Sequence, residues 1–193
     1  MKKFISDSDW IPNLSCLATA VAILITAGCA GTQYTRSTGE YIDDQSLQLR
    51  VDHALGENPD YKFKGVSLAT FKGTVQLNGF VDTADQKNQA GDIAQHVEGV
   101  RQVDNNIIVE QNNPRSAGEV VDDKTLAARV RDTLHGDPYK FDDVAVGSYK
   151  GTLQLSGFVD TTDQKNKASE VARTIQGVRD VQNNITVRNQ VAM

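Results

Sequence analysis

Apolar residues recur along the chain with two spacings, and each spacing predicts one kind of element. In residues 47–55 they stand four apart, which places them on one face of a helix. Residues 66–71 and 75–81 alternate between apolar and polar, as a strand with one buried face does. Residues 90–97 return to helical spacing and 103–109 to alternation. The predicted order is α-β-β-α-β.

The same order occurs a second time. Val75 to Ala90 reads VQLNGFVDTADQKNQA and Leu153 to Ala168 reads LQLSGFVDTTDQKNKA, and twelve of these sixteen positions are identical. Such identity at a fixed offset is the mark of an internal repeat. We therefore predict an α+β fold of two tandem α-β-β-α-β units, each a three-stranded sheet with two helices on one face.

The repeated stretch contains residues that specify a turn from strand to helix. A T-x-x-Q capping box is predicted to begin the second helix of each unit, formed by Thr83 with Gln86 and by Thr161 with Gln164. A glycine also replaces an inward-facing side chain in each second strand, at Gly79 and Gly157. The missing side chain predicts that a helix backbone approaches closely there.

Paired acids stand before the first helix of each unit, at Asp43-Asp44 and at Asp122-Asp123. We interpret them as helix caps, because a negative charge near a helix N-terminus is favourable. They are not predicted to act as a general acid and base.

The N-terminal residues predict an export signal. Residues 14–26 carry no charge and are mostly apolar, but they are too few for the roughly 20 that span a bilayer. Thr26-Ala27-Gly28-Cys29 resembles the lipobox of bacterial lipoproteins, which implies cleavage after Gly28 and acylation of Cys29. Ala30 after the cysteine implies the outer membrane, facing the periplasm. The alternative is a protein secreted to the periplasm without lipid.

These features divide the chain into five segments. We predict a lipoprotein signal peptide at 1–28, a flexible tether at 29–41, a first domain at 42–110, a linker at 111–121 and a second domain at 122–188.

Both repeats resemble the BON domain family. The resemblance rests on an inward strand ending in Gly-x-Val, a Gly-Val pair after the second helix and a Val-x-Asn-x-Ile motif. These lie at Val75 to Val81 and Leu153 to Val159, at Gly99-Val100 and Gly177-Val178, and at Val103 to Ile107 and Val181 to Ile185. The resemblance, to tandem-BON periplasmic proteins and dual-BON outer-membrane lipoproteins, implies a role in envelope integrity or osmotic stress. It also implies phospholipid binding by one domain and no catalytic residues.

The composition adds no sign of catalysis. The net charge is −5, so no nucleic-acid partner is expected. Both cysteines lie outside the repeats, and the three histidines form no metal-binding motif, so we predict neither a metal nor a cofactor. His53, His96 and His135 are interpreted as surface residues, no serine lies in G-x-S-x-G, and we predict that the protein is not an enzyme.

The two repeats differ most in charge. Residues 43–110 contain six basic and eleven acidic residues, a net of −5, whereas 122–188 contain ten of each. The second repeat gains cations at aligned positions: Gln45 becomes Lys124, Asp52 becomes Arg131, Gln89 becomes Lys167, Gln95 becomes Arg173 and Glu110 becomes Arg188. Since anionic lipid attracts cations, the second domain is the better candidate for membrane contact.

The predicted partners are therefore the membrane, through acylated Cys29, and anionic phospholipid. The candidate lipid-binding residues are Lys124, Arg131, Lys165, Lys167 and Arg173. A mixed, solvated surface is the alternative interpretation of these charges, since Glu170 stands among them. The alternative function is a chaperone-like or scaffolding adaptor that binds envelope proteins through the open sheet faces, where Phe80 and Phe158 lie.

Overall fold

The structure, a computed structural model, describes residues 37–59, 63, 65–110, 116–139 and 141–191. The predicted signal peptide and Cys29 lie outside these residues. The first unit consists of α1 (Thr38–Gly56), β1 (Val66–Phe71), β2 (Thr74–Val81), α2 (Ala84–Gln95), β3 (Gln102–Asn105) and β4 (Ile108–Val109). The second consists of α3 (Ala117–His135), β5 (Val144–Tyr149), β6 (Thr152–Val159), α4 (Thr162–Arg173), β7 (Asp180–Val187) and a 3-10 turn at Arg188–Gln190. The predicted α+β fold of two tandem units is confirmed.

The second strand is central in each sheet. In the first unit β1 pairs antiparallel with β2, and β3 and β4 pair parallel with its other edge. In the second unit β5 and β7 flank β6 in the same way, with β7 unbroken. Each hairpin turns through two residues with positive φ, Lys72-Gly73 and Lys150-Gly151. Two such residues favour the tight turn that matches strand twist.

The helices of each unit pack on one face of its sheet, as predicted. The apolar stripe of α1, at Leu47, Val51 and Leu55, meets the inward residues of β2 and two alanines of α2. The second core repeats this arrangement with α3, β6 and α4. Ala90, Ala94, Ala168 and Ala172 are fully buried, so small side chains allow the second helices to lie close to the sheets.

The first helices begin earlier than predicted. The α1 helix starts at Thr38, within the predicted tether, and α3 starts at Ala117, within the predicted linker. Each is opened by an S-x-x-E capping box, Ser37 with Glu40 and Ser116 with Glu119. The hydroxyl accepts from the backbone of the glutamate, whose carboxylate accepts from the backbone of the serine.

The interpretation of Asp44 and Asp123 as helix caps was wrong. Both lie inside the helix and are buried, and their carboxylates accept hydrogen bonds from the hairpin turn. Asp44 accepts from the N–H groups of Lys72 and Gly73 at 2.8 and 3.0 Å. Asp123 accepts from Lys150 and Gly151 at 2.9 and 3.1 Å, and from the Ser148 hydroxyl at 2.9 Å. These aspartates therefore attach the first helix to the hairpin.

The reason for the strand glycines also differs from the prediction. A Cβ on Gly79 would lie 2.0 Å from the carbonyl oxygen of Gly65, and one on Gly157 would lie 2.0 Å from that of Asp143. The neighbour is therefore the backbone leading into the first strand of the hairpin, rather than a helix. Both glycines also have φ beyond +110°, where L residues are strained.

Candidate functional site

Two of the predicted lipid-binding cations lie on α3. Lys124 and Arg131 are both exposed and stand seven residues apart, which is close to two helical turns. They therefore project from the same side of the helix. The aligned residues of α1, Gln45 and Asp52, are also exposed, so the gain in positive charge is on a solvent-facing surface.

The other three candidates lie on α4. Arg173 is exposed, whereas Lys165 and Lys167 are half-buried. The ammonium of Lys167 lies 3.4 Å from the carboxylate of Glu170, which partly neutralises it. Within the part of the chain that the structure describes, Lys167 is the one candidate with an ion pair. Lys124, Arg131 and Arg173 are therefore the candidates whose charge is both exposed and unpaired there.

The fifth cation gained by the second repeat has a structural role. The guanidinium of Arg188 bridges the carboxylates of Asp143 and Asp160, and its side chain is only 15% exposed. It also lies 5.6 Å from the ring centroid of Phe71, in the first unit. Arg188 therefore joins the two units and is not available to a membrane.

The sheet faces predicted to be open pack against each other. The ring of Phe71 meets that of Phe158 at 5.4 Å between centroids, and Phe80 stacks on Tyr149 at 5.3 Å. Phe71 aligns with Tyr149 and Phe80 aligns with Phe158, so the two contacts are reciprocal. Both repeats belong to one compact unit. The surface on which the adaptor hypothesis depended is therefore occupied within the chain.

Two glutamines make this interface reciprocal in its polar contacts as well. Gln76 Oε1 accepts from the N–H of Gly157 at 3.0 Å, and Gln154 Oε1 accepts from the N–H of Gly79 at 2.6 Å. The Gln154 amide also donates to the carbonyl of Asn106 at 2.6 Å. Both glutamine side chains are buried, so these bonds satisfy polar groups that water does not reach.

One residue departs from this symmetry. Asn78 is buried at 1% exposure, and its side-chain amide makes no hydrogen bond to any residue the structure describes. The aligned residue in the second repeat is Ser156, which is smaller. The first unit therefore contributes a buried amide to the interface whose hydrogen-bonding groups have no partner among the described residues.

A cleft beside the first helix occurs in both units. In the second unit it has a volume of about 340 Å³ and is lined by Glu119, Asp122, Asp123, Thr125, Leu126, Arg129, Lys150, Gly151, Gly177 and Arg179. The cleft of the first unit is about 530 Å³ and is lined by the aligned residues and Val100. A salt bridge crosses each cleft at 3.7 Å, Lys72 with Glu40 and Lys150 with Glu119.

Hydrogen bonds within the capping boxes lower the pKa of the two cleft glutamates. The backbone N–H of Ser37 lowers the pKa of Glu40 from its ordinary value, with further lowering by the Ser37 hydroxyl and Lys72. The Ser116 backbone and hydroxyl lower the pKa of Glu119 in the same way, and Lys150 adds to this. Both carboxylates therefore stay ionised to a lower pH than an ordinary glutamate does.

The remaining sequence candidates are placed as follows. The structure puts His53 at the exposed end of α1, 3.5 Å from Glu57, and His96 at the C-cap of α2. Across the described ranges, no three His, Cys, Asp or Glu side chains are grouped as metal ligands would be. No described helix is both long enough and apolar enough to cross a bilayer. The acylation of Cys29 stays a prediction.

Sequence reasoning missed the clefts and the interface glutamines. It concentrated on cations that differ between the repeats, whereas the cleft residues are those that stay the same. The available signal was the identity of exposed charged residues in both copies, such as Arg50 with Arg129 and Arg101 with Arg179. Gln76 and Gln154 gave a weaker signal, because a polar residue on the outer face of a strand is ordinarily solvated.

Comparison with known proteins supports the same architecture. The family model described as BON domain matches residues 43–111 and 122–189. The outer membrane lipoprotein DolP of Haemophilus influenzae is 33% identical over 86% of this chain and 86% of its own length. The osmotically-inducible protein Y of Escherichia coli is 29% identical over 78% of this chain and 75% of its own.

A solved structure, the C-terminal domain of CdsD from the type III secretion system of Chlamydia trachomatis, is a more distant match. It is 20% identical and aligns with a TM-score of 0.31, covering 75% of this chain and 66% of that one. The family match covers two segments that together make up most of the chain, and each contains one α-β-β-α-β unit. The chain belongs to the BON domain family, with two such domains in tandem.

Proposed function

We propose that the protein is a non-enzymatic envelope lipoprotein that faces the periplasm and binds anionic phospholipid through its second BON domain. The observation that carries this proposal is the exposed cationic side of α3, at Lys124 and Arg131, where the first domain has Gln45 and Asp52. Arg173 adds an exposed cation on α4. Cations near an anionic bilayer each contribute about 1 kcal/mol of binding free energy.

The relatives support the envelope location. One is named an outer membrane lipoprotein and the other an osmotically-inducible protein. An acylated Cys29 would keep the second domain close to a membrane, so a weak peripheral contact would suffice. We extend the proposal to a role in envelope integrity or osmotic-stress tolerance. A lipoprotein that is anchored through Cys29 and also binds phospholipid through its second domain contacts the bilayer at two points, and it can link the bilayer to other envelope components.

The test uses the soluble chain from residue 30 onward, with both domains present. A fragment of the second domain alone would expose Phe158 and Gln154, which the first domain covers, and would adsorb to vesicles for that reason. The chain is titrated with vesicles of phosphatidylcholine, with and without phosphatidylglycerol. Binding is expected only with the anionic lipid, and it should weaken in high salt.

A pair of substitutions locates the surface. Lys124→Gln with Arg131→Gln removes two cations and is expected to weaken binding by about 2 kcal/mol, close to 30-fold. Lys62→Gln with Lys64→Gln removes the same charge from the first domain and serves as the matched control. Equal loss in the two variants would show that net charge alone governs binding, and equal binding to both kinds of vesicle would exclude an anionic ligand.

A further inference from the structure

We propose that the cleft in each BON domain binds a phosphate group that bears a primary amine, of the phosphoethanolamine class. This inference does not rest on the proposed function, since the cleft residues are separate from the cationic side of α3. It concerns both domains equally. The ligand would be a soluble ester or a lipid headgroup, which share this chemistry.

The duplication of the cleft is the first observation. Every residue that lines the second cleft has an identical counterpart in the first, except that Thr125 replaces Ser46. Several exposed charged positions elsewhere differ between the copies, such as Gln45 against Lys124 and Asp52 against Arg131, although others, such as Asp82 and Asp160, are identical. Some cleft residues are explained by the fold, because Asp44 and Asp123 hold the hairpin turn. Arg101 and Arg179 each donate a backbone hydrogen bond to the turn glycine, at 2.9 Å, but this bond does not require an arginine side chain.

The geometry of the cleft places two arginine side chains against backbone glycines, one through its guanidinium group and the other through its aliphatic part. In the first domain, a Cβ on Gly99 would lie 3.2 Å from Arg50 Nη2, and one on Gly73 would lie 3.0 Å from the Arg101 side chain. In the second domain, Gly177 lies under Arg129 Nη2 and Gly151 under the Arg179 side chain. The glycines have no side chain to separate these arginines from the backbone, and both guanidinium groups belong to residues that line the cleft.

The charged cleft side chains that have no partner within the described residues indicate which charges the ligand carries. Lys150 is held by Glu119, and Asp123 is occupied by the turn. Within the described parts of the chain, Arg129 and Arg179 have no ion-pair or hydrogen-bond partner for their guanidinium groups, and the exposed carboxylate of Asp122 has none. Arg50, Arg101 and Asp43 repeat this set in the first domain.

Two guanidinium groups and one carboxylate fit a ligand of mixed charge. Guanidinium forks match the oxygens of a phosphate group, which can accept two parallel hydrogen bonds from each. A carboxylate at the edge favours an ammonium group over a neutral or anionic substituent. A cavity of about 340 Å³ or more is large enough to hold such a headgroup.

The experiment is isothermal titration calorimetry of the full soluble chain from residue 30 onward. Phosphoethanolamine is the probe, and glycerol 1-phosphate is the comparison without an amine. We expect two sites per chain and a preference of about tenfold for phosphoethanolamine, which corresponds to one favourable charge contact of about 1.4 kcal/mol. Absence of binding, or equal affinity for the two probes, would overturn the proposal.

Substitutions assign the sites by stoichiometry. Arg129→Gln with Arg179→Gln is expected to reduce two sites to one, and adding Arg50→Gln with Arg101→Gln is expected to remove the second. Lys87→Gln removes a cation on α2, outside both clefts, and should leave two sites. If the Arg129 and Arg179 variant still binds two molecules, the clefts are not the sites.

A second pair of substitutions keeps the test independent of stability. Asp43→Asn with Asp122→Asn changes exposed residues only, and it should abolish the preference for phosphoethanolamine while retaining phosphate binding. A retained preference would overturn the role of these carboxylates.

Vesicles of phosphatidylethanolamine in phosphatidylcholine distinguish a lipid headgroup from a soluble ester as the source of the ligand. Binding that the arginine substitutions abolish identifies a lipid headgroup, and binding confined to the soluble probe identifies a soluble ester.

Discussion

The backbone N–H of Gly79 donates a 2.6 Å hydrogen bond to the side-chain oxygen of Gln154 in the other domain. The reciprocal bond runs from Gly157 to Gln76 at 3.0 Å. The same strand position that needs a glycine for its backbone thus also supplies the donor that joins the domains. The interface is therefore built from the repeated element itself, and each copy contributes one donor and one acceptor.

Replacement of the interface glutamine tests this arrangement. Gln154→Met keeps the length of the side chain but leaves the Gly79 N–H and the Asn106 carbonyl without a partner. We expect the free energy of unfolding to fall by about 1–3 kcal/mol, measured by urea titration. Gln182→Met is the control, because Gln182 is exposed on β7. Equal stability of the two variants would mean that the glutamine bridge does not stabilise the interface.

Substitution of the buried Asp123 is expected to lower stability more than substitution of its exposed neighbour Asp122. Asp123→Asn replaces one accepting oxygen by an amide donor, although the backbone of Lys150 and Gly151 and the Ser148 hydroxyl all donate to this carboxylate. We expect a loss of about 1–3 kcal/mol. Asp122→Asn is exposed and should change stability by no more than about 0.5 kcal/mol. Thermal unfolding of both variants provides the comparison, and a similar Tm for the two would contradict the turn-holding role.

The glycine prediction concerns steric fit and backbone strain together. Gly157→Ala would place a Cβ 2.0 Å from the Asp143 carbonyl oxygen at a φ of +118°. We expect a loss of about 3 kcal/mol or more in the free energy of unfolding. Gly118→Ala is the control, since no atom lies within 4 Å of the new methyl group and α3 favours alanine. If the Gly157 variant is as stable as the parent chain, the backbone at Asp143, just before β5, can shift to make room for the methyl group.

We expect the capping glutamates, Glu40 and Glu119, to account for part of the loss of folding stability at acidic pH. The pKa of Glu40 and of Glu119 is below the ordinary value of 4.5 in the folded chain. Each therefore stabilises the fold above that pH, and this contribution is lost as the pH falls through the folded-state pKa. Glu40→Gln with Glu119→Gln keeps a capping group that does not titrate. Between about pH 5 and pH 3 this variant should lose less stability than the parent chain. Identical pH profiles in chemical unfolding would refute the assignment.

Much of the fold could be predicted from local patterns, because each helix and strand buries one face. The apolar periodicity around Leu47 and Leu77 identified the element order, and the T-x-x-Q boxes mark where α2 and α4 begin. The starts of α1 and α3 were missed because Gly39 and Gly118 interrupt the helical pattern just after Ser37 and Ser116. The S-x-x-E spacing was present there and was the stronger signal.

The arrangement of the domains could not be predicted from alternation alone. The pattern around Gln76 and Gln154 shows a polar strand face, and only the folded chain shows that a second sheet covers it. The role of Arg188 was missed for the same reason, since its partners come from β1, from the segment before β5 and from the turn after β6. Contacts between distant segments depend on how whole domains pack, which no local spacing encodes.

The proposed lipid surface is tested most directly by amide NMR of the soluble two-domain chain with phosphatidylglycerol nanodiscs that contain a paramagnetic lipid. The account predicts that signals from α3 and α4 near Lys124, Arg131 and Arg173 lose intensity, whereas those near Gln45 and Asp52 on α1 do not. Equal loss on the helices of both domains, or loss confined to the first domain, would contradict the assignment of lipid binding to the second.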